Sequence, residues 1–304
     1  MNAPDQHVAA VDRRKFIGGS DAAAILGISP WRSPYQVWQD KTTPAMPEIT
    51  DPGRLAVLNR GKRMEPYVLD LLQEETGLIV VRRNARYIDP ELPFLACEVD
   101  GESEAGENIE IKTVSPFKAK EWGEEQTDAI PVHYTAQAMH GLMITGRAVC
   151  IFGVLIGGDD FRIYRVERDD ETIAAMREKE IRFWREHVEA LVPPPPASHA
   201  DIAAMFQRDS GSVVAADNDT ARAVFELRAL KAEAKEIASR IEAVELAIKK
   251  AMGEAAVLTV DDVKAATWKT QQTLRFDQKA FQAAHPDLYD QFIKLTESRV
   301  FRLA

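Results

Sequence analysis

Apolar residues recur along the chain in two rhythms, and the switches between them predict its elements. Ser20 caps a short helix over 21–26 that Gly27 ends, and Ser33-Pro34 opens a second through Trp38, with proline where a first-turn N–H has no partner anyway. Between 52 and 76, Leu55, Leu58, Met64, Val68, Leu71 and Leu72 fall at helical spacing. Gly61 is a candidate break there and Gly77 a C-cap, so the segment reads as one broken helix or two. Strand-like runs follow at 78–88, 94–99 and 109–114, the last two joined by a turn over 101–108. A helix over 132–144 ends at Gly146, and strands over 149–156 and 161–166 flank Gly157-Gly158-Asp159-Asp160, a hairpin signal. Ile173, Met176, Ile181, Trp184 and Val188 then mark an amphipathic helix over 172–191. The order αα–α–βββ–α–ββ–α predicts an α/β fold with a central mixed sheet flanked by helices.

Pro193-Pro194-Pro195-Pro196 can continue neither helix nor central strand, which places a domain over 1–192 and a Pro-rich linker over 193–217. Beyond it, over 218–304, a coiled-coil-like helix leads into a small α+β tail. Leu227, Leu230, Ala234, Ile237, Ile241, Val244, Ile248 and Ala251 step by three and four, as in a coiled-coil seam. An exposed arm and a bundle helix packed on its own domain fit this pattern equally. Runs at 257–260 and 263–270 pair across Asp261-Asp262, and 299–303 alternates like a strand.

Charge narrows the chemistry. Lys and Arg number 38 against 48 Asp and Glu, a formal net charge of -10, so contact with DNA has to come from local basic patches. Two cysteines, Cys97 and Cys150, are too few for a Cys₄ zinc or iron–sulfur site and unlike a secreted disulfide framework. With no apolar signal core at the N-terminus and no apolar run of membrane-spanning length, a cytoplasmic protein without a membrane partner is expected.

One constellation carries chemistry. Asp100 ends an apolar strand and, nine residues on, Glu110-Ile111-Lys112 lies within the next. Strand alternation turns Ile111 to the core and projects Glu110 and Lys112 together, beside an aspartate delivered by the preceding strand. Hard divalent cations take carboxylate and carbonyl oxygens, and an ammonium beside them can orient water or neutralise charge developing on a phosphate. The spacing alone is loose; its setting, two strands joined by a turn, is what a metal hairpin requires.

IGGSDAAAILGISPWRSPYQVW, GKRMEPYVLDLLQEETG, FLACEVDG, IEIKT and HYTAQAMHGLMITG occur in the order found in the YqaJ-type phage recombinases, and over about 13–190 the chain resembles that family. These are relatives of phage lambda exonuclease with a restriction-endonuclease-like core. The resemblance implies that Asp100 and Glu110 bind Mg²⁺, or Mn²⁺ in its place, with the Ile111 carbonyl as a further ligand and Lys112 as the catalytic lysine. It makes Glu65 a helix-borne catalytic acid and Gln137 the active-site glutamine that holds water or the scissile phosphate. Arg13 and Ser20 would bind the 5′-phosphate of a recessed DNA end. Where the family often has a small residue and proline before its aspartate, this chain has Glu98-Val99, which makes Glu98 a further acid on the Asp100 face that is left outside the site.

Other residues have plainer readings. His133 and His140 share a helix face but read as core or DNA-edge residues rather than ligands. Trp31 and Trp38 could stack a terminal base, with core packing the default. Arg13-Arg14-Lys15, Arg60-Lys62-Arg63, Arg82-Arg83 and Lys118-Lys120 are the candidate phosphate contacts. The expected activity is a Mg²⁺-dependent 5′→3′ exonuclease on linear double-stranded DNA, leaving 3′ single strands for a single-strand annealing partner. The rivals are a structure- or site-specific endonuclease of the same fold and a non-catalytic DNA-binding scaffold. A homotrimer formed by the domain before Pro193 is expected, with the arm directed toward the annealing protein.

Overall fold

The structure, a computed structural model, describes residues 12–43 and 51–303; the N-terminal stretch read for a signal core lies outside them. After a short 3₁₀ turn at Arg13–Lys15 come α1 (Gly19–Ile25), α2 (Pro34–Thr42) and α3 (Pro52–Thr76). Ser33 caps α2 reciprocally with Gln36, as Ser-Pro at a helix start predicts. Ser20 does not cap α1. Gly18 is the N-cap residue, and Asp21 reaches back to its N–H, so Ser20 lies inside the first turn and its hydroxyl is not used as the cap. Nor does α3 break at Gly61. It runs unbroken past Pro66 to Gly77, which ends it in the left-handed conformation at φ 70°. The stepped contacts of Val68, Leu69 and Leu72 with the sheet outweigh the propensity cost of one glycine.

Five strands follow: β1 (Val80–Ile88), β2 (Ala96–Ser103), β3 (Asn108–Val114), then, after α4 (Val132–Thr145), β4 (Val149–Ile156) and β5 (Asp160–Glu167). They form one sheet in sequence order, antiparallel except for the parallel pair β3–β4, whose crossover is α4. This is the mixed sheet flanked by helices that the pattern predicts. All of β4, VCIFGVLI, is buried, since both of its faces are covered. Alternation sends Cys150, Phe152, Val154 and Ile156 into a core with Ala138, Met139 and Leu142 of α4, while Val149, Ile151 and Leu155 meet Val68, Leu69 and Leu72 of α3. Ile109 and Ile111 join the α3 side, so Glu110 between them must face α4.

The helix α5 (Asp170–Phe183) passes into a π-helical turn at Trp184–Glu189. Within the segment expected as linker, α6 (His199–Met205) forms, and its buried Asp201 accepts from the Ser33 hydroxyl at 2.7 Å. The first compact unit accordingly runs through Met205. In the second, Phe206–Ala304, α7 (Asn218–Met252) precedes the hairpin β6 (Val257–Val260) and β7 (Val263–Thr267), then α8 (Gln278–Ala284) and α9 (Pro286–Phe292). No strand forms at 299–303. Arg299 there donates to the Phe206 carbonyl instead.

A buried ion pair joins α4, α5 and β2. His140 places Nδ1 3.0 and 3.1 Å from the Glu180 carboxylate oxygens and donates from Nε2 to the Ala96 carbonyl at 2.9 Å, with both side chains wholly buried. Burial opposes the imidazolium, but Glu180 and the Ala96 carbonyl overcome it and hold His140 above its ordinary value. That contribution is fully present below about pH 6.5, the unfolded imidazole value, and is lost as pH rises through the raised folded value. We predict that His140→Ala destabilises by about 3–5 kcal/mol, because Glu180 keeps a buried charge without its partner. Thermal unfolding against pH should show a decline above pH ~6.5 in the wild type that the variant lacks. Parallel profiles would contradict the charged pair.

Candidate active site

The site forms where β2 and β3 part. Their ladder pairs Glu102 with Asn108 and Gly101 with Ile109 and extends no further. One step on, the Asp100 carboxylate accepts the Ile111 N–H through Oδ2 at 2.7 Å, taking the place of a main-chain acceptor on β2. In a strand, a residue's N–H and C=O leave by the same edge, so the Ile111 carbonyl points toward the same gap. Glu110, opposite Asp100, is 4% exposed. Its Oε2 accepts from Lys112 Nζ at 2.8 Å and from Gln137 Nε2 at 2.6 Å. Gly19 of α1 lets Gln137 come this close: a Cβ there would stand 3.2 Å from Gln137 Cγ.

Burial governs the electrostatics. It raises Glu110 to about 7, helped by the charges of Asp100 and Glu65 and opposed by Lys112. Asp100 is raised by burial and by Glu98, against Lys112 and the Ile111 N–H. Glu65, from α3, is raised by burial and by Asp100. For Lys112 burial favours the neutral amine, yet Glu110 and Asp100 outweigh it and keep the ammonium well above its ordinary value. The ammonium sits 5.4 Å from the Tyr134 ring centre and 5.8 Å from that of Phe152. Three carboxylates thus press on one another around one cation.

A hard divalent cation fits that donor set. Glu110 Oε1 and Asp100 Oδ1 have no hydrogen-bond partner among the described residues, and the Ile111 carbonyl supplies a third oxygen. Among the described residues no three His, Cys, Asp or Glu side chains are arranged to hold an ion unaided, so water would complete the shell. Glu98 is exposed on the Asp100 face, opposite Arg86 of β1.

Arg13 and Ser20 meet directly, with the guanidinium donating to the hydroxyl at 2.7 Å. Sequence spacing gave no sign of what supports them. Lys41 donates to the Arg13 carbonyl at 2.8 Å and to the buried Asp21 carboxylate at 2.7 Å, and Arg32 donates to Asp21 at 2.9 Å and also bonds Asp40. Burial would raise Asp21, but Lys41 and Arg32 lower it, so it stays an anion anchoring the cations around it. These partners lie 11 and 20 residues apart in sequence, too far for local pattern to join them.

The remaining candidates separate. His140 belongs to the core, whereas His133 lies edge-on to Trp31 with centres 4.5 Å apart. Trp31 is 63% exposed. Trp38 packs inward and bonds the His187 carbonyl through Nε1 at 2.9 Å, which removes it as a stacking surface. Arg14 pairs with Asp12, Arg83 with Asp70 and Lys118 with Glu121. Arg60, Lys62 and Arg63 are exposed on the turn of α3 before Glu65 and make no ion pair with a described residue.

The profile of the YqaJ-like viral recombinase domain matches residues 10–148. The chain is 31% identical over 302 residues to the uncharacterized protein YqaJ of Bacillus subtilis (strain 168), covering 96% of this chain and 92% of that protein. Among solved structures it is similar to the alkaline exonuclease LHK-Exo of Laribacter hongkongensis, at 21% identity and a TM-score of 0.47 over 59% of this chain and 91% of that one. A phage related exonuclease from Haemophilus somnus 129PT aligns at 15% identity and a TM-score of 0.37, over 58% and 95% of the two chains. The sequence relationship extends across almost the whole length of both proteins, and the family match spans the residues of the carboxylate hairpin, so the chain belongs to the YqaJ family.

Proposed function

We propose that this protein is a Mg²⁺-dependent nuclease that degrades linear double-stranded DNA from its 5′ ends and leaves 3′ single strands for annealing. The observation that carries the reading is the buried Glu110 carboxylate with the half-buried Asp100 carboxylate opposite it, Lys112 and Gln137 both bonding one oxygen of Glu110. A buried acidic cluster with unpaired outward oxygens suits a cation and a phosphodiester better than it suits a structural role.

When bound, the divalent cation supplies Lewis acidity to the scissile phosphate and to water. The residues of the chain do the rest. Asp100, Glu110 and the Ile111 carbonyl would hold the ion. Gln137 fixes the Glu110 carboxylate through Oε2 and leaves Oε1 available. Lys112 keeps its proton and stabilises charge growing on the phosphate oxygens. Glu65, half-buried with a raised affinity for a proton, would be the group that exchanges one with water. Arg13 and Ser20 take the terminal phosphate by a charge-assisted contact and a hydroxyl, and Arg60, Lys62 and Arg63 draw the backbone to an otherwise acidic molecule. Trp31 offers an exposed face to a terminal base.

Two predictions test this reading. Without DNA, Mg²⁺ at about 100 times its dissociation constant should stabilise the folded protein by about 2.7 kcal/mol, read as a rise in unfolding temperature. Asp100→Asn should abolish that rise and Lys112→Ala should keep it, since the lysine is not a ligand; a full rise in Asp100→Asn would remove the metal assignment. With DNA, the wild type should digest linear duplex and spare covalently closed plasmid, and 5′-hydroxyl ends should be consumed more slowly than 5′-phosphorylated ones. Lys112→Ala should cut turnover by about 10²–10⁴-fold. Cleavage of closed plasmid at the linear rate would make the protein an endonuclease, and equal rates on both ends would take Arg13 and Ser20 out of phosphate recognition.

A further inference from the structure

The helix α7 is 35 residues long and carries its apolar stripe in the open. Leu230, Ile237, Ile241, Val244 and Ile248 are 39–60% exposed. In folded proteins most of a helix's stability comes from packing its amphipathic face, and a contiguous exposed apolar stripe marks an interaction surface. The stripe keeps a strict seven-residue repeat. Leu227, Ala234, Ile241 and Ile248 occupy position a, and Leu230, Ile237, Val244 and Ala251 occupy position d. That period of 3.5 winds helices into a left-handed supercoil and is narrower than the face a helix presents to a globular core.

Charge at the flanking positions identifies the occupant. Position g holds Glu226, Glu233, Arg240 and Ala247, and position e holds Lys231, Ala238, Glu245 and Met252. In a parallel, in-register pair, each g residue faces the e residue of the following heptad on the partner helix. Glu226 then meets Lys231, and Arg240 meets Glu245. The other two g–e pairs, Glu233 with Ala238 and Ala247 with Met252, contain no like charges. An antiparallel alignment that keeps all eight seam positions paired leaves Lys231 near Glu245 but sets Arg240 against its own copy. Arg240 has no ion-pair partner among the described residues, and Glu245 is held only by the exposed Lys249 of its own helix at 2.9 Å.

We propose that α7 is a self-association element, which pairs with α7 of a second copy of this chain in a parallel, in-register coiled coil. This assigns the arm to the protein itself rather than to an annealing protein, and it does not depend on the nuclease reading. The native cysteines, Cys97 and Cys150, are both buried, so an introduced thiol reports on its own surroundings.

The test is disulfide trapping in the full chain. Leu230→Cys, at position d near one end of the seam, should join to its own copy under mild oxidation, whereas Ser239→Cys on the outer face of the helix should not. Adding Ile237→Glu to Leu230→Cys should abolish the link. Arg240→Glu should weaken it, and Arg240→Glu with Glu245→Arg should restore it. Absence of a Leu230→Cys dimer, equal trapping of Ser239→Cys, or a link that forms only when Leu230→Cys is mixed with Ile248→Cys would each overturn the parallel coiled coil.

Discussion

Asp100 uses a side-chain oxygen to accept the Ile111 N–H where β2 would otherwise supply a carbonyl, and from that substitution the site follows. It gives the Ile111 N–H an acceptor where the two strands part, and so holds open a gap between β2 and β3. The gap admits Glu110 on one face and turns the Ile111 carbonyl toward the same space. Glu110 is buried facing α4, and Lys112 is the cation that opposes its charge and that of Asp100. Burial comes first in raising the proton affinity of Glu110, Asp100 and Glu65, and Lys112 offsets it only in part. On the proposed reading, a divalent cation would complete that compensation, and its binding would add to the stability of this corner of the fold.

The rest of the first unit holds that corner still. Complete burial of β4 fixes the position of β3 beside it, and the opposite cores against α3 and α4 fix which way Glu110 must point. Gln137 depends on the close approach of α1 at Gly19, and α4 is anchored one turn later by the His140–Glu180 pair to β2 and α5. Asp21, one turn into α1, collects Lys41, Arg32 and the Gly18 N–H, so the helix that carries Ser20 is held from beneath by buried charge. These contacts act on residues that would meet DNA without meeting it themselves.

Alternation and helical spacing made the elements of the sheet readable, because each strand and helix has a solvent side or an unbroken apolar run. The carboxylate hairpin was readable for the same reason: Glu110 and Lys112 alternate with Ile109 and Ile111 in one strand, beside Asp100 in the strand before it. What could not be read depends on contacts distant in sequence. Ser20 reads as a cap from its own neighbours, and only the Asp21 bond to Gly18 moves the cap back two residues. Gly61 reads as a break, yet α3 continues because the sheet beneath it contributes more than the glycine costs. Residues 193–217 read as linker from their prolines, while Asp201 fastens α6 to Ser33 across a separation of 168 residues. The ion pairs of Asp21 and His140 give no local signal at all.

The central claim is that Asp100, Glu110 and the Ile111 carbonyl bind one divalent cation. The most direct measurement is anomalous scattering from crystals of the protein loaded with Mn²⁺. One strong peak is expected in the gap between β2 and β3, bounded by those three oxygens and absent from Asp100→Asn crystals. A principal peak elsewhere, or an unchanged peak in the Asp100→Asn variant, would contradict it.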